Sequence, residues 1–350
     1  AGRIHLVDQN HLESGDFEVV YSVRERNGDW NPAEKISPPA RSGRNASRVL
    51  DHGVNAFAFW MDVTDAASDS DIGFRRRASN GSWGEPEILF PASGISEDPV
   101  AAVDAFDRLH LVWVDGRFGN LQKILYAQAG TDRIWSAPQV LSTGAIFPDS
   151  PNIDVDGFGN VHIVWSDRSL SNPDISEDII HLKIDPEAAD PLQPVRLVSH
   201  TGSASDPFLE VLADGTLHLV WLDDRDASRD TFREIYYKRF LPGIGWGKDK
   251  RFTYDRTDHQ RPMIIKGTRS TLNVVWEDYR SGNPEIYYRQ ITWATGWDRD
   301  LTRLTADNSA SRSPSLVAVS NGGLVLFWAD AQGTGSSRIF TKIGNEGTTP

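Results

Sequence analysis

LHLVWVD (109–115), VHIVWSD (161–167) and LHLVWLD (217–223) are three copies of one strand, closed each time by a tryptophan and, two residues on, an aspartate. AFAFWMD (56–62), LNVVWED (272–278) and LVLFWAD (324–330) repeat it, and IHLVDQN (4–10) is a degraded seventh copy with Asp8 in the tryptophan slot. The anchors Asp8, Trp60, Trp113, Trp165, Trp221, Trp276 and Trp328 step by 52 to 56 residues along the whole chain. A fixed period of this size marks stacked supersecondary units, none of which can bury its apolar face alone.

Within each repeat the apolar residues alternate with period two, and the breaks are Gly, Asn, Asp and Pro, so the elements are short antiparallel strands. In the fifth repeat DPFLEVL (206–212) is a first strand, Ala213-Asp214-Gly215 a turn, LHLVWLD a second strand and EIYYKRF (234–240) a third. Trp246 opens a fourth strand that ends at KRFT. The third-to-fourth hairpin keeps its length: Val19 to Trp30, Ile72 to Trp83, Ile124 to Trp135, Ile235 to Trp246 and Ile286 to Trp297 are all 11 residues. In the fourth repeat that slot holds Asp190 in a Pro-interrupted stretch, and an irregular blade is expected. Seven four-stranded sheets around an axis form an all-β, seven-bladed β-propeller, which leaves few exposed edges. The reading is of a single domain over residues 1–350. Its terminal blades are incomplete, since the chain opens on a second strand and stops where its last fourth strand is due. Both ends are therefore expected to continue in a longer polypeptide.

The 350 residues carry a net charge of −13, 39% apolar side chains, 12 Trp and no Cys. Acidity excludes a nucleic-acid backbone as partner, because that contact needs basic patches. Without cysteine there are no disulfides, thiolate metal sites or cysteine nucleophiles. No run reaches the ~20 apolar residues of a membrane span. The processed-looking start at Ala1 is read as that of an exported protein, periplasmic, cell-surface or extracellular.

SGNPEIYYRQ (281–290) followed by LTRLTADNSASRSPSL (301–316) resembles the repeats of TolB-like propellers. The hairpins RNGDW (26–30) and SNGSW (79–83), with the endings EKIS, QVLS and RLT, resemble BNR repeats of the sialidase superfamily. The resemblance implies a propeller fold. The full Asp-box, Ser-x-Asp-x-Gly-x-Thr-Trp, is degenerate in every repeat, which puts a transfer of glycosidase activity in doubt.

Four aspartates two past the tryptophan are followed by arginine: Asp115 with Arg117, Asp167 with Arg168, Asp223 with Arg225 and Asp278 with Arg280. Their periodicity favours an architectural role, each Asp capping its loop and pairing with Arg. A site is expected where the repeat is broken. The spacing from tryptophan to third strand is 10 residues in the sixth repeat but 14 in the fourth and fifth. The inserted loops 167–178 and 223–234 carry Arg168, Asp174, Asp178, Arg225, Asp226, Arg229, Asp230 and Arg233, the expected partner-binding residues. No cofactor is predicted, with calcium a candidate at Asp62, Asp65, Asp69 and Asp71, or in the turn of Asp154, Asp156 and Asn160. His110, His162 and His218 recur at one strand position and read as architectural. Arg225, Arg229, Arg233, Arg280, Tyr279 and Glu277 supply the residue types of a sialidase-like site, and Tyr254 and His259 those of a lyase. The favoured function is a non-catalytic binding or scaffold propeller that engages a protein or polysaccharide through its loop-rich face. The alternative is a carbohydrate-active enzyme, glycoside hydrolase or polysaccharide lyase, using the same face.

Overall fold

The computed structural model describes residues 3–345 except 13, 15, 39–41, 51, 53–54, 64–68, 120, 143–146, 169–176, 186–193, 199–201, 228–231, 269, 293–295, 298–300, 307, 320–322 and 333–335. Every regular element among them is a strand. The strands form seven antiparallel sheets, one per repeat, in the sequential order first–second–third–fourth, and the fold is a seven-bladed β-propeller. In the fifth and sixth sheets the fourth strand is split in two, at 245–246 and 250–251, and at 296–297 and 302–303. The first and last sheets show three strands among the described residues. Two compact units divide the chain, residues 3–199 with four sheets and residues 200–350, together with 1–2, with three.

The 11-residue hairpin reappears as backbone pairing of Arg24 with Trp30, Arg77 with Trp83, Ala129 with Trp135, Phe240 with Trp246 and Ile291 with Trp297. Asp190, expected in an irregular stretch, lies outside the described residues. The repeated tryptophans seat the sheets: Trp60, Trp113, Trp165, Trp221 and Trp276 are fully buried. Each indole N–H donates to the aspartate two residues on, at 2.9 Å to Asp62, 2.8 Å to Asp115, 3.4 Å to Asp167, 2.8 Å to Asp223 and 2.9 Å to Asp278. Strand alternation places residues i and i+2 on one face, so a Trp-x-Asp sequence satisfies its own buried donor. Trp328, expected to be equally buried, is only half-buried, and its N–H has no partner. It lacks the tether to a carboxylate and rests on Phe340, stacked at 5.7 Å.

The Asp–Arg pairs form in three repeats. Arg117, Arg225 and Arg280 each donate backbone N–H and Nε to the aspartate two residues before. The fourth departs from expectation: Arg168 turns outward to Glu177 (2.8 Å), because it directly follows Asp167 and strand alternation sends it to the opposite face. The consequence is visible in the acidities. Burial works against the charge of Asp115, yet Arg117 and Trp113 hold its carboxyl below the ordinary range. Burial without an arginine partner pushes Asp167 up to about 6.

The repeated histidines are buried within their sheets. His110 and His218 contact the third-strand hydroxyls of Tyr126 and Tyr237 at 2.7 and 2.8 Å, and His162 meets His181 at 3.1 Å.

Candidate functional site

Each of the six first strands is broken by a bulge at one register position. The bulged residue, Asn45, Asp98, Ser150, Asp206, Arg261 or Ser313, has a left-handed backbone with φ between 48° and 53°. Five of the six precede proline, the exception being Asn45 before Ala46. Left-handed conformations cost non-glycine residues about 1–2 kcal/mol. Bulges of this kind re-aim side chains and cluster beside functional sites.

Within residues 200–350 the bulges of the sixth and seventh sheets gather a polar cluster. Glu277 is completely buried at the end of its strand. Its Oε1 accepts from Arg261 Nη1 at 2.7 Å and from the backbone N–H of Ser313 at 2.7 Å. Arg312 Nη1 lies 3.9 Å from Glu277 Oε2 and donates to the Tyr279 hydroxyl at 2.8 Å. Burial opposes the charge on Arg261, but Glu277, with help from Asp206 and Tyr279, raises the guanidinium pKa above its usual value. Arg233 stands between Asp206 (3.9 Å) and Asp258 (3.6 Å). The carboxylate that anchors the cluster is hidden, while the arginine side chains stay 54% (Arg261), 45% (Arg312) and 32% (Arg233) exposed.

Three members of this cluster break the repeat at once. The position of Glu277 is Met61, Val114, Ser166, Leu222 and Ala329 in the other full copies. That of Tyr279 is Val63, Gly116, Arg168, Asp224 and Ala331, and Arg261 is the one bulge residue with a cationic side chain. A carboxylate in a slot that is otherwise apolar or small requires an arginine partner before it can be buried. The structure supplies it from the bulge of the same sheet, as Arg261.

A second network lies beneath. His259, suggested with Tyr254 as lyase chemistry, is fully buried and cannot reach solvent. Its Nδ1–H donates to the Arg233 carbonyl at 2.7 Å, and its Nε2 lies 3.1 Å from Asp255 and 3.3 Å from Asp278. Burial alone lowers a histidine pKa, but these two carboxylates push His259 up to about 9. It is an imidazolium at neutral pH. Glu234, Asp255 and His259 form the one group with metal-ligand proximity among the described residues. Arg251 pairs with Glu234 at 2.6 Å and Arg280 pairs with Asp255, so the carboxylates are already neutralised and the histidine is protonated. That donor set does not suit a divalent cation. Tyr254 is 68% exposed and donates to the Arg251 carbonyl.

The residues singled out on the two inserted loops fall in different compact units. Asp174, Arg229 and Asp230 lie outside the described residues. Asp178 is buried and paired with Arg196 at 3.2 Å. Arg225 is shared between Asp223 and Asp249, and Asp226 accepts from Tyr236 and Arg251. Of the eight, Arg233 joins the cluster. Of the calcium candidates, Asp62 accepts from Trp60, Asp69 from the Gly94 N–H and Asp71 from the Ala92 N–H, while Asp65 lies outside the described residues. In the other candidate turn Asp156 accepts from Phe158 and Asn160.

No family model and no curated protein matches this chain. Solved structures do. An ulvan lyase from a polysaccharide lyase family superposes over 99% of this chain and 90% of its own, with 9% identity and a TM-score of 0.69. An α-L-arabinanase of Penicillium chrysogenum, complexed with arabinobiose, matches over 87% and 93% with 13% identity and a TM-score of 0.57. A Hadza microbial sialidase matches over 95% and 73% with 13% identity and a TM-score of 0.56. At such identities the likeness is one of fold alone, the β-propeller.

Proposed function

We propose that the protein is a carbohydrate-active propeller that binds an acidic polysaccharide at Arg261, Arg312 and Tyr279 and cleaves it there by β-elimination. The observation that carries this reading is that Arg261, Glu277 and Tyr279 leave the repeat pattern together and meet at one bulge. Similarity to solved polysaccharide lyases, sialidases and an arabinanase supports the substrate class. It favours an enzyme over the non-catalytic scaffold expected from sequence, and an exported protein accords with a polysaccharide substrate.

The chemistry follows from the side chains. Half-exposed guanidinium groups bind a carboxylate through paired N–H donors. Neutralising the carboxylate of a uronate makes the adjacent C5–H more acidic. The Tyr279 oxygen, positioned by Arg312, takes that proton as general base in its phenolate form. Electrons from the C5–H bond form the C4–C5 double bond, the C4–O bond breaks, and the leaving oxygen receives a proton from the newly protonated phenol. Glu277 acts through others, holding Arg261 and the Ser313 backbone in place. A hydrolytic reading is favoured by one feature: Glu277 Oε2 has no hydrogen-bond partner, as a carboxylate assisting a tyrosine nucleophile would require.

Incubation with uronate-containing and sialylated polysaccharides separates the outcomes. Elimination creates an ultraviolet-absorbing unsaturated uronate without consuming water, whereas hydrolysis incorporates oxygen from labelled water and creates no double bond. Tyr279→Phe should abolish either. Absence of both binding and cleavage across the panel would overturn the proposal.

A further inference from the structure

At the other end of the fifth and sixth sheets, away from the bulges, the outer strands enclose a cavity of about 180 Å³. Strand alternation sends Tyr237, Arg239 and Leu241 to its wall from the third strand of the fifth sheet. The following hairpin adds Ile244, Lys248 and Lys250, and the sixth sheet closes the far side with Ile291. Among the described residues three cations line this space and no carboxylate does, in a chain whose net charge is −13. The intervening Asp249 faces the other way, tied to Arg225 and Lys238, both at 2.8 Å. The local potential is therefore positive against the sign of the whole molecule.

The repeat again separates design from background. The residue four past the hairpin tryptophan is Glu34, Glu87, Gln139 and Leu301 in the other copies, and lysine in this one, Lys250. The position of Arg239 is Val23, Arg76, Gln128, Lys183 and Gln290 in the first, second, third, fourth and sixth copies, so a cation there is shared with two of them and Lys250 is the departure. Beside the cations Ile244 is 81% exposed at the lip of the cavity, an apolar surface without a covering side chain. Cations with an adjoining apolar surface match a sugar ring that carries an anionic group, whose C–H face lies on the isoleucine while the charge meets Arg239, Lys248 and Lys250. The volume is below the ~300 Å³ at which drug-sized ligand pockets begin, and suits one saccharide unit of a longer chain.

We propose that this cavity is a second, non-catalytic saccharide site that holds one sulfated or carboxylated sugar residue of a polyanionic chain. It stands on its own residues and does not require the cluster at Glu277 to be catalytic. Bound there, a polymer is retained at high local concentration for any other site on the same molecule.

Titration calorimetry with a sulfated uronate disaccharide, repeated with inorganic sulfate, tests it. The site is expected to bind the disaccharide and to lose about tenfold or more in affinity in Lys248→Ala/Lys250→Ala and in Arg239→Gln, each of which removes charge-assisted hydrogen bonds. Ile244→Asp should weaken it further, each titration being made in the Arg312→Gln background so that binding at the distant cluster does not mask the cavity. Since Lys248, Lys250 and Ile244 are surface residues of a hairpin, unaltered melting of these variants confirms that folding is intact. Disaccharide affinity insensitive to all cavity variants would overturn the proposal. So would sulfate binding as tightly as the disaccharide, which would reveal an anion site with no use for the sugar.

Discussion

Asp115 and Asp167 occupy the same place in successive repeats, and the structure predicts opposite outcomes when each becomes asparagine. Asp115 accepts from Trp113 and from Nε and the backbone N–H of Arg117. Losing its charge strands a guanidinium that is three-quarters buried, and breaking a buried pair costs about 3–5 kcal/mol. Arg117 keeps a bond to the Phe90 carbonyl, so the cost should fall near the lower limit. Asp167 keeps a long indole contact, its Oδ1 has no partner among the described residues, and Arg168 is engaged elsewhere. Its folded pKa of about 6 exceeds the ~3.9 of an unfolded aspartate. The folded state therefore binds the extra proton between those values, and this group's contribution falls as pH rises through the window. At pH 7 the cost of ionising it amounts to roughly 3 kcal/mol, at pH 5 to about half of that, and near pH 4 to almost nothing. Asp167→Asn should therefore stabilise the protein by about 1–3 kcal/mol at pH 7, a gain that shrinks as the pH falls to 4. Thermal melting of the wild type and both variants at pH 4, 5 and 7 measures this. Equal destabilisation by both substitutions, or a pH-independent gain for Asp167→Asn, would refute the reasoning.

His259 gives the same direction of dependence in a higher pH window. A histidine raised to about 9 stabilises the fold below its unfolded value near 6.5, and that contribution is lost as pH rises through 9, amounting to about 2 kcal/mol between pH 7 and 9. Melting curves over that interval should show the loss in the wild type and not in His259→Gln, and an imidazole proton resonance that titrates near 6.5 would contradict it. Trp221→Ala should cost about 3–5 kcal/mol, whereas Trp328→Ala, at a half-buried ring with a free N–H, should cost distinctly less in the same melting assay. Equal losses would mean that the seventh copy is seated like the others.

The fold was readable because one physical need recurs at a fixed spacing. A buried indole requires an acceptor, the aspartate two residues on provides it, and their period counts the sheets. The same regularity anticipated the pairing of Asp115, Asp223 and Asp278 with Arg117, Arg225 and Arg280. It misjudged Asp167 because adjacency in sequence, Asp167–Arg168, was read as pairing, although neighbours on a strand point to opposite faces. Glu277, Tyr279 and Arg233 were visible as residue types, but Arg261 and Arg312 were not singled out. A residue before proline is expected in an extended conformation, so nothing in the local sequence announced the left-handed bulge that turns Arg261 onto Glu277. Aligning the repeats position by position, as opposed to searching the longest loops, is the signal that finds it. His259 was misread for a related reason, since a polar residue in a loop-like stretch gives no sign of the Asp255 and Asp278 that bury it.

The central claim, that the arginines around Glu277 recognise an acidic sugar, is tested most directly by the affinity of a uronate oligosaccharide for the wild type and for Arg312→Gln. Arg312 is 45% exposed and its loss leaves Glu277 bound to Arg261 and the Ser313 backbone, so the fold should survive. The account predicts an affinity reduced about tenfold or more, as expected when a charge-assisted contact to a carboxylate is removed, with an unchanged melting temperature. An affinity equal to that of the wild type would contradict it.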